Sequence, residues 1–263
     1  ENDIKIDSIA GTSAGSIIAA LYASGMSPFE MERVVLKMKP QDYLDYNVTG
    51  MIKLLASLLF PFYNYRLNGL VLGKKIEKLV YRLTDGKKMD DLNLPIAIIS
   101  CDIDSGKKVV FTNQPTCHDA EDTIVINDVH VSEAVRCSIS IPVTFVPRDM
   151  DNRQMVDGGV KDIVPAMVNK LMGAEYVLGI NLGQETYHSK VDGLREIILR
   201  TLSIMTFETS DTEEKIFADM LVFPHVADTS LDDMEQAARI IRIGRRAMLE
   251  HVEALKKALA DDR

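Results

Sequence analysis

The chain has 263 residues, 46% hydrophobic and 26% charged. That composition can bury a core without disulfide or metal support, and it excludes disordered, collagen-like and coiled-coil architectures. A formal net charge of −9 and a pI near 5.1 argue against a general nucleic-acid binder, and against capture by anionic membranes through bulk charge. Three widely spaced cysteines, Cys101, Cys117 and Cys137, form no disulfide framework or metal knuckle and fit a reducing compartment, while the longest apolar stretch, Met51 to Phe62, is too short to span a bilayer and is interrupted by Lys53.

In chain order, Ile4, Ile6, Ile9 and Ala10 read as a short strand, and Gly11-Thr12-Ser13-Ala14-Gly15 as a turn. Ile17, Ile18, Leu21 and Tyr22 then recur at helical spacing up to Gly25. Ser27-Pro28-Phe29-Glu30 is a capping box that starts a second helix, ending near Lys39-Pro40. Residues 51–60 predict a short apolar helix and 73–84 an amphipathic one closed by Gly86. Leu94 to Ile103 predicts a buried strand, turned by Asp104-Ser105-Gly106 into a hairpin with Val109-Val110-Phe111. The polar stretch 113–130 reads as a surface loop and Val131 to Cys137 as a helix. Val143 to Pro147 and Gln154 to Val156 predict strands around the turn Asp149-Met150-Asp151-Asn152. A helix over 163–172, a strand Tyr176 to Ile180, helices over 192–207 and 211–218 and a strand Met220 to Phe223 follow. Ser230 with Asp233 caps a long final helix, broken near Gly244. Strands alternate with helices, so the expected fold is a three-layer α/β/α domain with a mostly parallel central sheet. No repeat, linker or domain boundary interrupts residues 1–263, which read as a single domain.

Two short motifs carry chemistry. Gly11-x-Ser13-x-Gly15 matches a nucleophile elbow, a strand-to-helix turn that lifts the serine Oγ clear of the backbone. The Ala14 amide would then sit at a helix N-terminus, able to donate to an oxyanion. A phosphate-binding turn is the competing reading, although the Gly-Lys-Ser/Thr of a P-loop is missing. A serine also needs a base. His118, His130, His188, His225 and His251 have no motif around them and read as solvated or structural. The better candidate is Asp157 in Val156-Asp157-Gly158-Gly159-Val160, where an apolar strand ends in a carboxylate followed by two glycines that admit a close backbone. A plain Asp-Gly turn explains that motif equally well.

Taken together, GTSAGS at 11–16, VRCSISIPVTFVP at 135–147 and VDGG at 156–159 resemble the patatin-like phospholipase family. The resemblance extends to the DIDSGKKVVF hairpin at 102–111 and the LVFPHVADTSLDD ending at 221–233. It implies hydrolysis of fatty-acyl esters of lipids or phospholipids by a Ser–Asp dyad through an acyl-enzyme, with no cofactor and no metal. On the matching positions Ser13 would be the nucleophile, Asp157 the general base and the Ala14 NH an oxyanion donor, with Gly11, Gly15, Gly158 and Gly159 as the motif glycines. The family also carries a strand and glycine-rich loop ahead of its nucleophile strand, so the resemblance predicts that these are missing upstream of Glu1. The stretch 157–165 departs from the family, which often has asparagine near Ile163, a local matter of hydrogen bonding.

Residues 51–62 are dense in apolar side chains for a surface insertion, so a lid or membrane-surface contact competes with an ordinary buried helix. Lys74, Lys75, Lys78, Arg242, Arg245 and Arg246 read as solvated helix faces, Arg136 as structural near the site, and Cys137 as no nucleophile for want of an activating histidine. The partner implied is a lipid acyl ester, not nucleic acid, at a cytoplasmic or peripheral-membrane location. Two alternatives remain: a non-catalytic lipid-binding or scaffold protein on the same fold, and a Ser-His-Asp esterase using Ser13, Asp157 and His225.

Overall fold

The fold comes from a computed structural model, which describes residues 2, 4–60, 62, 64–114, 122–183, 187, 190–226 and 236–261, with the backbone alone at 209–213 and 261. The elements are β1 (Ile9–Thr12), α1 (Ala14–Ala23), α2 (Pro28–Lys37), α3 (Pro40–Tyr43), α4 (Val48–Leu59), α5 (Lys74–Leu83), β2 (Ile96–Asp102), β3 (Lys108–Thr112), β4 (Thr123–Ile126), α6 (Val131–Ser138), β5 (Arg148–Met150), β6 (Arg153–Asp157), α7 (Ala166–Leu171), β7 (Leu178–Ile180), α8 (Leu194–Phe217), β8 (Met220–Val222), α9 (Ala237–Leu249) and α10 (Val252–Asp261). The Ser27 box forms as expected: Ser27 Oγ accepts from the Glu30 N–H, and Glu30 Oε2 accepts from the Ser27 N–H at 2.9 Å.

The central sheet is mixed and mostly antiparallel, which corrects the parallel expectation. Along the path β4-β3-β2-β6-β5, with β1 also on β2, β2–β3, β2–β6 and β5–β6 run antiparallel; only β1–β2 and β3–β4 run parallel. The cause is the turns. Asp104-Ser105-Gly106 is too short for a crossover, so β3 folds straight back on β2. Asp151 and Asn152, at φ 50° and 60°, close β5 onto β6 as a two-residue hairpin. A separate parallel pair joins β7 to β8.

Alternation along β2 divides the core. Ile96 and Ile98 join Val109, Phe111, Val131 and Ala134 on one face, with Ala19 and Ala20 of α1, Val80 of α5 and Met89. Ala97 and Ile99 join Val110 and Val168 of α7 on the other. Helices therefore cover both faces, and all seven residues of β2 are buried. Among the described residues no helix is long and apolar enough to cross a membrane.

Other expectations shift. The first strand starts at Ile9, and Ile6 is exposed. β4 lies inside the expected loop 113–130, paired through Lys108↔Thr123 to Phe111↔Ile126. Val143 to Pro147 is no strand: Thr144 and Phe145 both donate to the Ile141 carbonyl, and Phe145 touches Val71 only in a single bridge. The helices expected over 192–207 and 211–218 are one, α8. The last helical stretch breaks between Leu249 and Val252 and not at Gly244. The Ser230–Asp233 cap, His118, His188 and Cys117 lie outside the described residues.

Candidate active site

One register decides where Ser13 and Asp157 sit. β3 occupies one edge of β2, so β1 and β6 share the other. β1 climbs parallel to β2 and ends with Thr12 opposite Ile99. β6 descends antiparallel and ends with Asp157 opposite Ser100, the next residue. Two strand ends therefore meet head-on at neighbouring rungs, the serine leaving one and the aspartate closing the other.

Ser13 sits in the tight strand–helix turn that the motif requires, at φ 52° and ψ −124°, a region that costs a non-glycine residue about 1–3 kcal/mol. Its backbone is pinned on both sides. The Ser13 N–H donates to Ser138 Oγ at 2.9 Å, and its carbonyl accepts from the Ser16 N–H at 2.9 Å and from Ser16 Oγ at 2.6 Å. Its side chain makes no capping bond to α1, which leaves the hydroxyl for other work. Ala14, at the N-terminus of α1, is exposed.

Asp157 is buried at the end of β6. Its N–H donates to the Ser140 carbonyl at 3.0 Å and its Oδ1 accepts from the Gly159 N–H at 2.8 Å. Oδ2 is buried without a well-aligned hydrogen bond. Burial pushes the carboxyl up to about 6; the Ser13 side chain and the Gly159 amide pull against that rise. The Ser13 side chain thus acts on the Asp157 carboxyl, favouring its charged form, while Oδ2 has no well-aligned hydrogen bond.

The motif glycines have unequal roles. A Cβ on Gly11 would lie 2.4 Å from the Gly15 carbonyl, and one on Gly158 would lie 2.3 Å from the Ile99 carbonyl of β2, so both permit backbone contacts nothing larger could. A Cβ on Gly159 would crowd Asp157 Oδ1 at 3.1 Å. At Gly15 it would meet nothing within 4 Å, so of the two elbow glycines Gly11 alone is required on steric grounds.

Behind the pair stands a polar support that the motifs did not reveal. Arg136 is buried, its charge disfavoured by desolvation, and its guanidinium donates to Ser140 Oγ at 2.5 Å, to the Leu72 carbonyl at 2.7 Å and to the Val146 carbonyl at 2.6 Å. Ser140 in turn holds Asp157 through its carbonyl, and Ser138 holds Ser13 through its hydroxyl. The SxS spacing inside residues 135–147 was the signal available in the chain. Cys137, just before Ser138, has its thiol pushed up to about 12 by burial, which makes it a poor nucleophile.

His225 is exposed beyond β8 and is not among the groups that act on Asp157. His130 Nδ1 pairs with the Gly86 carbonyl at 2.9 Å and His251 Nδ1 with the Ala247 carbonyl at 2.8 Å. Among the described residues no group of acidic, histidine or cysteine side chains is arranged to hold a metal.

Comparison with known proteins gives a consistent lineage. The family model for patatin-like phospholipase matches residues 1–169, which includes both motifs. The chain is 29% identical over 190 residues to the uncharacterized protein YqhO of Bacillus subtilis, covering 69% of this chain and 63% of that protein. It is 26% identical over 185 residues to rat patatin-like phospholipase domain-containing protein 7, covering 70% of this chain and 12% of that protein. An uncharacterized NTE family protein of Mycobacterium tuberculosis is 21% identical over 210 residues, 80% of this chain and 50% of its own length. The chain thus spans less than two thirds of each of these relatives.

Proposed function

This chain belongs to the patatin-like phospholipase family, and from that premise we propose that it is a serine hydrolase that cleaves fatty-acyl esters of lipids through Ser13 and Asp157. The observation that supports the reading is a buried Asp157 carboxyl on which the side chain of Ser13, a serine on a strained elbow, acts to favour the charged form. A desolvated carboxyl near 6 is a stronger base than an ordinary aspartate, yet stays ionised at neutral pH.

In this mechanism Asp157 Oδ2 takes the Ser13 proton as Oγ attacks the ester carbonyl. Oδ1 stays anchored on the Gly159 amide, which fixes the carboxyl plane. The Ala14 N–H at the start of α1 donates to the developing oxyanion; a good donor there is worth about 3–4 kcal/mol. The proton passes from Asp157 to the departing alcohol, leaving an acyl ester on Ser13. Asp157 then takes a proton from water as it attacks that ester, and returns the proton to Ser13 as the fatty acid leaves. Lipid acyl esters are the proposed substrates because family membership and the name of the rat relative both point to phospholipase chemistry.

The test is labelling with a fluorophosphonate followed by peptide mass spectrometry, alongside turnover of a short-chain nitrophenyl ester. Ser13 is expected to carry the label, Ser13→Ala and Asp157→Asn to lose turnover, and His225→Ala to keep it. Turnover surviving in either dyad variant refutes the dyad. A protein that takes no label at Ser13 is the non-catalytic lipid binder.

A further inference from the structure

We infer that α4, with the exposed Phe60 and Phe62 that follow it, is a docking element for an anionic lipid bilayer, seating the site against the membrane that holds its substrate; this rests on the lipid-ester reading above. The first ground is exposure. Within α4 only Gly50 is buried, while Val48, Ile52, Leu55 and Leu59 form a stripe at helical spacing, open along its length. Leu58, Leu59 and Phe62 are 75%, 76% and 102% exposed, beside an exposed Phe60. A run of large apolar side chains this exposed marks an interaction surface and not stray surface hydrophobics.

The second ground selects the occupant. From residue 46 to residue 76 the chain has no aspartate or glutamate, although it carries 39 of them in all and a net charge of −9. The same stretch holds Lys53 and Arg66 with no ion pair among the described residues, whereas Lys74 and Lys75 start α5 over the Asp45 carboxylate and Lys75 Nζ donates to the Gln41 carbonyl at 2.8 Å, so Lys53 and Arg66 are the cations left to meet the surface. Lys53 lies over the Tyr65 ring at 5.6 Å. Tyr46, Phe60, Phe62, Tyr63 and Tyr65 fall within the same stretch. Apolar stripe, flanking aromatics and cations without anions are the composition of an interfacial helix, whose stem enters the acyl boundary while its cations meet lipid phosphates. An acidic body would turn its other faces away from such a surface.

The third ground is position. Asn47 Nδ2 donates to the Gly69 carbonyl at 3.1 Å, closing the neck of the insertion. Leu70 and Val71 donate to the Thr144 carbonyl at 3.1 and 2.9 Å, and Arg136 grips the Leu72 carbonyl. The insertion is therefore rooted on the 138–146 segment, which also holds the Ser13 and Asp157 amides.

The chain has no tryptophan, so Leu58→Trp is a lone fluorescent reporter. It is placed in a Ser13→Ala background so that vesicles are not consumed, and titrated with phosphatidylcholine vesicles and with phosphatidylcholine–phosphatidylglycerol vesicles. The expected result is a blue shift on the anionic vesicles that salt weakens, with Leu55→Asp/Leu59→Asp lowering co-sedimentation about tenfold or more. That double variant should keep the wild-type thermal midpoint and, with Ser13 intact, the wild-type turnover of a water-soluble ester. An unshifted spectrum on anionic vesicles overturns the inference, as does undiminished binding of the double variant or equal binding to phosphatidylcholine alone. A wild-type dimer in sedimentation velocity that the double variant dissolves also overturns it, since a second copy would then cover the stripe. Failure of the dyad would leave vesicle binding untouched, so the two outcomes separate.

Discussion

Replacing Asp157 by asparagine should remove activity and add stability, and the added stability should depend on pH. The folded protein holds the Asp157 proton up to about 6, whereas the unfolded chain releases it near 3.8. Between those values the folded state binds more protons, so raising the pH through this window erodes stability. The gap corresponds to about 3 kcal/mol, fully absent below 3.8 and fully present above about 6. Asparagine cannot ionise, and its Oδ1 can still accept from the Gly159 amide. Its own packing enters equally at every pH and cancels when the comparison is made across pH. Urea unfolding of wild type and Asp157→Asn at pH 4, 5.5 and 7 reads this directly. The stability of the variant relative to wild type should rise by about 2 kcal/mol from pH 4 to pH 7, part of the effect being present already at pH 4, or about 5–10 °C in Tm. A difference that stays flat with pH would mean that Asp157 does not pay for a buried charge, and the argument for a strained base would fail.

Two further outcomes follow from the same geometry. If ionised Asp157 is the base, kcat/KM for a neutral ester should fall about tenfold per pH unit below a limb near 6, and a limb near 4 would show that burial does not tune the carboxyl. Gly158→Ala should destabilise by about 3 kcal/mol or more, because its Cβ meets the β2 backbone. Gly15→Ala, facing open space, should leave the protein as stable or up to about 1 kcal/mol more so; thermal melts that reverse this order contradict the packing described.

Much of the site was readable because its parts are local. Ser13 and Asp157 each sit in a short motif in which one glycine, Gly11 or Gly158, has a backbone reason, and the two hairpin turns announce themselves by Asp104-Ser105-Gly106 and Asp151-Asn152. Strand direction was not readable, since apolar periodicity is the same for parallel and antiparallel neighbours; the alternation of helices and strands outweighed the hairpins. β4 escaped although Ile124-Val125-Ile126 is a short β-branched run, because the polar residues on either side made the whole stretch 113–130 read as a loop; its place in the sheet comes from its partner β3. A structural Arg136 near the site was legible, but the partners of Ser138, Ser140 and Arg136 lie in segments distant in the chain, Leu72 and Ser13 among them, which the SxS spacing alone does not name.

The shared edge of β2 has a consequence for assembly. β1 and β6 do not pair with each other; each takes its place from a separate half of one template, Ile96–Ile99 for the first and Ser100–Asp102 for the second. The proposed dyad therefore forms only when three remote stretches have converged, and a slip of two residues in either ladder would carry its side chain about 7 Å away. Fidelity of strand alignment during folding, more than any side-chain contact, is what sets the working distance.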